Sequence, residues 1–223
     1  MSITTVNNGR LGNQIIRNLA VSFVVEKHNL FVDYANYNLI QSLGIKLFIG
    51  EHKHDNTIQL TEENYNSILT QDTLTSNVDP NSNFFQTKEI TNKIYSHLHR
   101  DDIKTTIINC NPFNERYNMN NDLFIHIRLS DASTWNPGLE YYLKAITLIT
   151  FDKLYISSDD LNHIIIKTIV DTYPNTVLLN YDETKTFQYG STCKNIILSH
   201  GSFSAIIGYL AFFSNVYYSS CDT

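Results

Sequence analysis

The chain has 223 residues, of which 42% are hydrophobic and 17% charged, and its formal net charge at pH 7 is −6. This composition excludes a disordered polyelectrolyte and a coiled coil, and the length allows one ordinary domain or two small ones. The acidic balance and the lack of a basic run exclude the charge pattern of a nucleic-acid-binding protein, so we expect no nucleic acid among the partners.

Several sequence features bear on the cellular compartment. No apolar stretch reaches the roughly 18 to 20 residues of a membrane span, and residues 1–25 lack the pattern of a secretion signal. Cys110, Cys193 and Cys221 are far apart and lack metal-ligand spacing, which favours free thiols in a reducing compartment. The sequence has no Asn-x-Ser/Thr glycosylation motif. We therefore expect a cytoplasmic protein, whose oligomeric state stays open.

Short strands and helices alternate in the first half of the chain. A β-branched run ends at a glycine turn, after which apolar residues recur at helical spacing. A later stretch rich in Thr, Asn, Ser and Asp is typical of a surface connection. In chain order we expect a strand at 2–6, a helix at 11–28, a strand at 30–32, a short helix leading into an extended piece within 40–49, a helix at 58–69, a connection at 71–87, a helix at 90–98 and a strand at Ile107 and Ile108.

The second half of the chain repeats the same alternation more regularly. Short apolar strands between helices of about ten residues predict parallel sheets that are covered on both faces, and hence an α/β fold. We place the boundary between two Rossmann-like domains after residue 122, giving 1–122 and 123–223. In chain order we expect strands at 123–129, 153–157, 176–179, 195–199 and 216–218, with helices between them at 138–148, 161–172, 184–192 and 203–213.

Two glycines mark the first candidate site, residues 9–14, with the sequence GRLGNQ. They let the backbone turn tightly where a strand leads into a helix, and the free amides of the helix start favour an anion. A turn of this kind is more often only a connection, and the motif by itself favours that alternative.

The second candidate site, residues 126–131 with the sequence HIRLSD, ends the strand predicted at 123–129. Because side chains alternate along a strand, His126 and Arg128 point to the same face. Burying them in a central strand is unfavourable unless an anion or a hydrogen-bonding group meets them, which favours a ligand site. The alternative is an edge strand with a surface ion pair between Arg128 and Asp131.

Two further strand ends carry small polar or acidic residues. Gly201 and Ser202 follow the strand predicted at 195–199, where a tight turn and a helix dipole suit a pyrophosphate. Capping of the helix by Ser202 is the alternative. Asp159 and Asp160 end another strand; their carboxylates suit a guanine edge or a ribose, although helix capping explains at least one of them.

Taken together, these motifs resemble those of the inverting fucosyltransferases of glycosyltransferase family eleven and, more distantly, those of the α-1,6 and protein O-fucosyltransferases. The order of the motifs along the chain is more specific than any one of them. The matching pieces are residues 9–14, 126–131, Asn136-Pro137 with Tyr141-Tyr142 and Ala145, 158–160, and 202–204.

The resemblance implies a GT-B architecture, in which two Rossmann-like domains face a cleft, here in a compact or slightly truncated version. Residues 1–122 would form the acceptor-side domain and residues 123–223 the GDP-sugar-binding domain. The implied reaction is metal-independent transfer of fucose from GDP-fucose to a sugar hydroxyl with inversion, making an α-1,2-type linkage. The implied partners are the donor and a glycan acceptor, with no further cofactor and no metal site.

The resemblance also assigns roles to individual residues. Arg128 corresponds to the arginine on the donor pyrophosphate, and Asp131 is a candidate for the proton acceptor, with Glu26 and Asp33 as alternatives. The remaining positions are implied to bind the donor: Gly9, Arg10, Gly12, Asn13, His126, Asp159, Asp160, Gly201, Ser202, Phe203 and Ser204.

Four positions depart from the family pattern. Leu129 replaces a second arginine, Ser130 replaces a glycine, and Ala205-Ile206 replaces a pair of tryptophans. These changes leave two alternatives open. The chain could use another GDP-linked hexose or deoxyhexose, or it could be a non-catalytic protein that binds a nucleotide sugar or a glycan, which the loss at Leu129 favours.

Overall fold

The computed structural model of the chain describes residues 4–6, 9–130 and 133–220. The chain divides into two compact units, Met1–Ile107 and Ile108–Thr223. Each unit contains parallel strands and helices, which confirms the α/β fold class and provides the two α/β units that the GT-B class requires.

The division between the units precedes the predicted boundary after residue 122. Side chains of the intervening segment are tied to the second unit. Asn111 Nδ2 donates a hydrogen bond to the Gln188 carbonyl at 2.9 Å, and Arg116 Nε donates one to Thr192 Oγ1 at 3.2 Å. These contacts are distant in sequence, so the apolar pattern alone does not reveal them.

The first unit combines short parallel strand pairs with a long helix. Strands β1 and β2 pair with each other, as do β3 and β4. In chain order its elements are β1 Thr4–Val6, α1 Leu11–His28, β2 Val32–Tyr34, α2 Tyr37–Ser42, β3 Thr57–Gln59, α3 Tyr65–Thr70, β4 Asn77–Asp79, α4 Lys88–Leu98 and α5 Asp101–Cys110, which extends across the division.

Helix α1 is the core of the first unit. It is buried on almost every side because it packs against α3, α4 and the neighbouring strands. It ends at Asn29, which adopts the left-handed conformation with φ 52° and donates its N–H to the Val25 carbonyl. Lys27 in the last turn complements the negative end of the helix dipole.

Several predictions for the first unit are wrong. The predicted helix at 58–69 begins instead with β3, and the predicted surface connection at 71–87 contains β4, which pairs with β3. Each strand has only three residues and is stabilised by pairing with the other, so neither shows a recognisable strand pattern in its own sequence. The expected strand at Ile107 and Ile108 is part of α5, in which only Ile107 is buried.

The second unit follows the predicted alternation closely. All five of its strands are parallel, and each pair is connected through a helix. Its elements are β5 Leu123–Ile127, α6 Leu139–Thr147, β6 Leu154–Ser158, α7 Ile164–Thr172, β7 Val177–Leu178, α8 Glu183–Gly190, β8 Asn195–Leu198, α9 Ser202–Leu210 and β9 Asn215–Tyr218.

The sheet of the second unit has the strand order β7-β6-β5-β8-β9. Read from β5 as the first strand this is 3-2-1-4-5, the order of a Rossmann fold, whose topological switch point lies between β5 and β8. The central place of β5 rules out the edge-strand alternative. Leu123, Ile125 and Ile127 pack in one apolar cluster with α6 and α7, whereas His126 contacts α9 on the opposite face.

Candidate functional site

The candidate site lies at the carboxyl ends of β5, β6 and β8. In an open parallel sheet, ligands bind outside these ends at the switch point, here between β5 and β8. The structure brings together three predicted groups at this edge. Arg128 follows β5, Asp159 follows β6, and Gly201 follows β8.

The backbone of Arg128 is bonded to the loop after β8 and to a later residue of its own loop. Its N–H donates to Ser199 Oγ at 3.2 Å, and its carbonyl accepts a hydrogen bond from Asn136 Nδ2 at 2.8 Å. Its side chain is half-buried and runs past Gly201. A Cβ atom added to that glycine would lie 3.9 Å from Arg128 Cδ. The stem of the guanidinium group therefore passes the point where α9 begins.

Gly201 is the N-cap residue of α9 and has φ 104° and ψ 164°, a region that only glycine populates readily. Ser202 is the first residue of the helix, so the alternative in which it caps α9 is wrong. No described side chain caps this helix. The first N–H groups of a helix lack carbonyl partners one turn earlier, so those of α9 provide hydrogen-bond donors suited to an anion beside Arg128.

His126 lies beneath the start of α9 and is only 6% exposed. Its Nδ1 shares a hydrogen bond with Ser204 Oγ at 2.6 Å, and its ring stacks on Phe203 with centroids 4.8 Å apart. Burial lowers the pKa of His126 from 6.5 to about 4, an effect that Asp159 partly opposes and Arg128 reinforces. At neutral pH the ring is uncharged and supplies no positive charge to an anion.

Asp159 holds the loop that follows β5. Its carboxylate accepts the N–H of Leu129 at 2.7 Å and that of Ser130 at 3.3 Å, together with the Ser130 hydroxyl. Burial raises the pKa of Asp159, but these hydrogen bonds outweigh it and the pKa is lowered overall. The carboxylate is therefore charged at neutral pH and ties the ends of β5 and β6 together.

Asp160 begins a turn and does not cap a helix. Its Oδ1 accepts the N–H of Asn162 at 3.0 Å, and its own N–H donates to Ser158 Oγ at 3.1 Å. The N-cap of α7 is His163, whose Nδ1 accepts the N–H of Ile165. Helix capping thus explains neither aspartate, contrary to the expectation that it explains at least one.

The glycine turn of residues 9–14 belongs to the first unit. Gly9 has φ 83°, and a Cβ there would lie 2.9 Å from Asn13 Cβ. Arg10 is exposed and is the N-cap of α1, with no side-chain cap among the described residues, whereas Gly12 is buried in the first turn. Like the start of α9, the start of α1 follows a glycine whose backbone conformation and close contacts other residues do not readily adopt.

Several polar residues that fix these two turns have no role assigned from the sequence. Gln14 Nε2 donates to the Gly9 carbonyl at 2.7 Å, and Gln86 Nε2 donates to Asn13 Oδ1 at 2.9 Å. Ser199 Oγ lies 3.1 Å from Ser204 Oγ and so joins the partners of Arg128 and His126. Their weak signal is position, because Gln14 and Ser199 adjoin glycine turns.

The candidates for the proton acceptor differ in their placement. Asp131 lies outside the described residues. Asp33 is exposed on β2, paired in register with Thr5 of β1. Glu26 is on α1, fourteen residues after Gly12, which at 1.5 Å per residue separates their backbones by about 20 Å. Glu26 is therefore remote from the glycine turn.

Other expectations concern metal ions, thiols and membranes. Within residues 4–6, 9–130 and 133–220, no group of three or more His, Cys, Asp or Glu side chains is arranged to hold a metal ion. Cys110 and Cys193 are free thiols, and Cys221 lies outside the described residues. Over the same ranges, no helix combines the length and apolar character needed to cross a bilayer.

No protein-family model matches the chain, and no curated protein matches it. Among solved structures, a NodZ α-1,6-fucosyltransferase co-crystallised with GDP aligns with a TM-score of 0.41 and 11% identity, over 65% of this chain and 53% of that one. POFUT1 in complex with GDP-fucose aligns with a TM-score of 0.47 and 11% identity, over 97% of this chain and 96% of that one. The chain spans about half the length of the NodZ chain.

Proposed function

We propose that the chain is a GDP-sugar-dependent hexosyltransferase that moves fucose from GDP-fucose to a glycan hydroxyl. We propose inversion at the sugar, an α-1,2-type linkage and no metal ion. The observation that carries the proposal is the position of Arg128 beside the uncapped start of α9, at the switch point of a Rossmann-ordered sheet. The choice of guanine as the base and of fucose as the sugar rests on the motif resemblance.

The proposed chemistry depends on charge at the diphosphate. When the bond from the sugar to the diphosphate breaks, negative charge grows on the departing GDP. A guanidinium group can hold two phosphate oxygens at once, and the amides of Ser202, Phe203 and Ser204 add a fixed positive potential. Both interactions strengthen as the charge grows, so they stabilise the transition state more than the bound donor.

The other donor-binding residues are proposed to orient the nucleotide. His126 acts as a neutral support for α9 through Ser204. Of the two aspartates proposed near guanine, we favour Asp160, because the Asp159 carboxylate already holds the loop after β5. Donor contacts of the first unit at Gly9, Arg10, Gly12 and Asn13 rest on the motif resemblance alone.

The proton acceptor is proposed to be Asp131, with Asp33 as the alternative. The remote position of Glu26 from the glycine turn counts against that residue. The base must lie within hydrogen-bond distance of the acceptor hydroxyl. A structure with donor and acceptor bound would therefore show which of the two aspartates is the base.

A second candidate function follows from Leu129. This side chain, in the place of the family's second arginine, is 4% exposed and belongs to the apolar cluster under α6. It cannot contact a diphosphate, so Arg128 is the one cation that this motif supplies. A protein that binds a GDP-sugar without turning it over is therefore the alternative, as is a transferase for another GDP-linked hexose.

The first test compares nucleotides. GDP should raise the melting temperature at millimolar concentration and UDP should raise it much less, because only a bound ligand stabilises the folded state. Incubation with GDP-fucose, GDP-mannose or GDP-rhamnose and a glycan mixture should release GDP and add a deoxyhexose only with GDP-fucose, in EDTA as well. Equal stabilisation by GDP and UDP would remove the guanine assignment, and GDP binding without turnover would favour the non-catalytic alternative.

The second test replaces the proposed phosphate ligand. Arg128→Ala should lower kcat by at least about a hundredfold with an unchanged melting temperature of the free protein, as expected for loss of a transition-state contact. Arg128→Lys should also lower kcat, but by less than Arg128→Ala, since an ammonium group keeps the charge but cannot form the forked contact. Lys153→Ala removes an exposed charge at the opposite end of the sheet and should change neither value. Full activity of Arg128→Ala would refute the role.

A further inference from the structure

The first unit contains a cavity of about 410 Å³ that none of the predicted donor residues lines. It lies between the last turns of α1, the segment 44–48 and the junction of α4 with α5. Its volume falls in the range of about 300 to 1,000 Å³ that is usual for small-molecule sites. The space suits one or two sugar-sized rings and is too small for a folded partner.

The charged groups at this cavity balance one another. Glu26 and Asp102 carry negative charge, and Lys46 and Arg100 carry positive charge. Arg100 also forms a forked ion pair with Asp102, with Nη2 and Oδ2 3.0 Å apart. An anion would meet two carboxylates and a cation would meet two basic groups, so the walls favour a neutral ligand.

The remaining walls combine aromatic rings with polar groups. Phe48 at the rim is 37% exposed, and Phe23 makes an edge contact with His97 at a centroid distance of 4.9 Å. The pKa of His97 is lowered by burial and by Arg100, against the opposing effects of Glu26 and Asp102. An uncharged imidazole both donates and accepts a hydrogen bond, as a sugar hydroxyl does.

We infer that this cavity binds a neutral saccharide of one or two residues. Carboxylates accept from hydroxyl groups, ammonium and guanidinium groups donate to them, and the exposed face of Phe48 packs against the C–H face of a sugar ring. That the saccharide is part of the acceptor glycan rests on the proposed function.

The cavity is distinct from the glycine turn at the other end of α1. Glu26, which lines it, is about 20 Å along the helix from Gly12. A sugar bound there would not be the one whose hydroxyl reacts next to that turn. It would be a second contact of an extended glycan, which raises affinity by linking two binding events.

The test uses the full chain without nucleotide, so its result does not depend on whether GDP binds. Lactose, N-acetyllactosamine and inorganic phosphate are titrated into ¹⁵N-labelled protein, and the backbone amide shifts are followed by NMR. Lactose or N-acetyllactosamine should shift the amides of segment 44–48 and of His97. Phosphate should leave them unchanged.

Two variants of residues that line the cavity, each with a control variant of an exposed neighbour, test whether the saccharide binds in the cavity. Phe48→Ala and Glu26→Gln should each weaken saccharide binding by about tenfold, the effect of losing a stacking or charge-assisted contact. Ile49→Ala and Glu51→Gln change exposed neighbours that do not line the cavity and should leave binding unchanged. Shifts confined to other residues, binding of phosphate in place of the sugars, or equal losses in the control variants would overturn the inference.

Discussion

His126 couples the candidate site to the stability of the protein. The ring is buried against Phe203 and bonded to Ser204, and burial lowers its pKa to about 4. Protonation would place an unmatched charge under α9. The neutral ring is therefore part of the folded structure, and its contribution depends on pH.

The pH dependence of unfolding follows from this shift. Between pH 6.5 and about 4 the unfolded chain binds a proton at His126 that the folded chain does not, so the free energy of unfolding rises with pH in this window. The contribution is complete above pH 6.5 and is lost as the pH falls towards 4. It amounts to about 3 kcal/mol. Urea unfolding at both ends of the window measures it.

His126→Gln removes the titrating group at this position. The variant should lose this part of the pH dependence, so its free energy of unfolding should fall less than that of the natural chain as the pH falls from 6.5 to 4. The same slope in both proteins would show that another group titrates there. The sequence predicts that His126 and Arg128 share a face, but Ser204 is seventy-eight residues away, and a partner so far along the chain has no signature in local spacing.

Gly201 and Gly138 enter their helices in nearly the same conformation. Gly201 precedes α9 with φ 104° and ψ 164°, and Gly138 precedes α6 with φ 87° and ψ 163°. An added Cβ at Gly138 meets no atom within 4 Å, whereas one at Gly201 lies against the Arg128 side chain. Comparing substitutions at the two glycines therefore distinguishes the effect of backbone strain from a local effect beside Arg128.

Replacement by alanine should strain both positions alike. Gly201→Ala and Gly138→Ala should each lower the free energy of unfolding by about 1 to 3 kcal/mol. Only Gly201→Ala should weaken GDP binding, by about tenfold, because its methyl group narrows the space between Arg128 and the first turn of α9. Calorimetric titration measures the affinity. An equal loss in Gly138→Ala would locate the effect in general destabilisation.

The elements that the sequence predicts well are those with a pattern of their own. Strand β5 is a continuous apolar run and α1 an apolar helix of eighteen residues, so each shows its own pattern in the local sequence. Strands β3 and β4 have three residues each and depend on a partner twenty residues away. Helix α5 contains two adjacent isoleucines that imitate a strand, although the helix buries only Ile107.

At the scale of the whole molecule, the net charge of −6 means that the proposed anionic donor would have to be held by local groups. The single tryptophan of the chain lies in the loop between β5 and α6, where it can serve as a fluorescent probe. Trp135 is 72% exposed, in a 3₁₀ turn that precedes Asn136, whose side chain bonds the carbonyl of Arg128. The only indole group of the chain therefore belongs to the loop that follows Arg128.

Binding of GDP should move the fluorescence emission of Trp135 to shorter wavelength, because a nucleotide at the β5 loop displaces water from the indole. Titration with GDP, with UDP as the comparison, measures the shift, and Trp135→Phe gives the background. A melting-temperature increase by GDP without any change in emission would place the nucleotide elsewhere on the protein.

The loops after β5, β6 and β8 are joined by hydrogen bonds through Ser199, Asp159 and Asn136 in the free chain. The proposed binding site for the diphosphate is thus ordered before any ligand binds, so the entropy cost of ordering these loops is met during folding and not on binding of the proposed donor. Under the proposed function, substitutions at the rim of this site would change which sugar is accepted without changing the residues proposed to hold the nucleotide. The donor preference would then change during evolution while the residues proposed to bind the diphosphate stay the same.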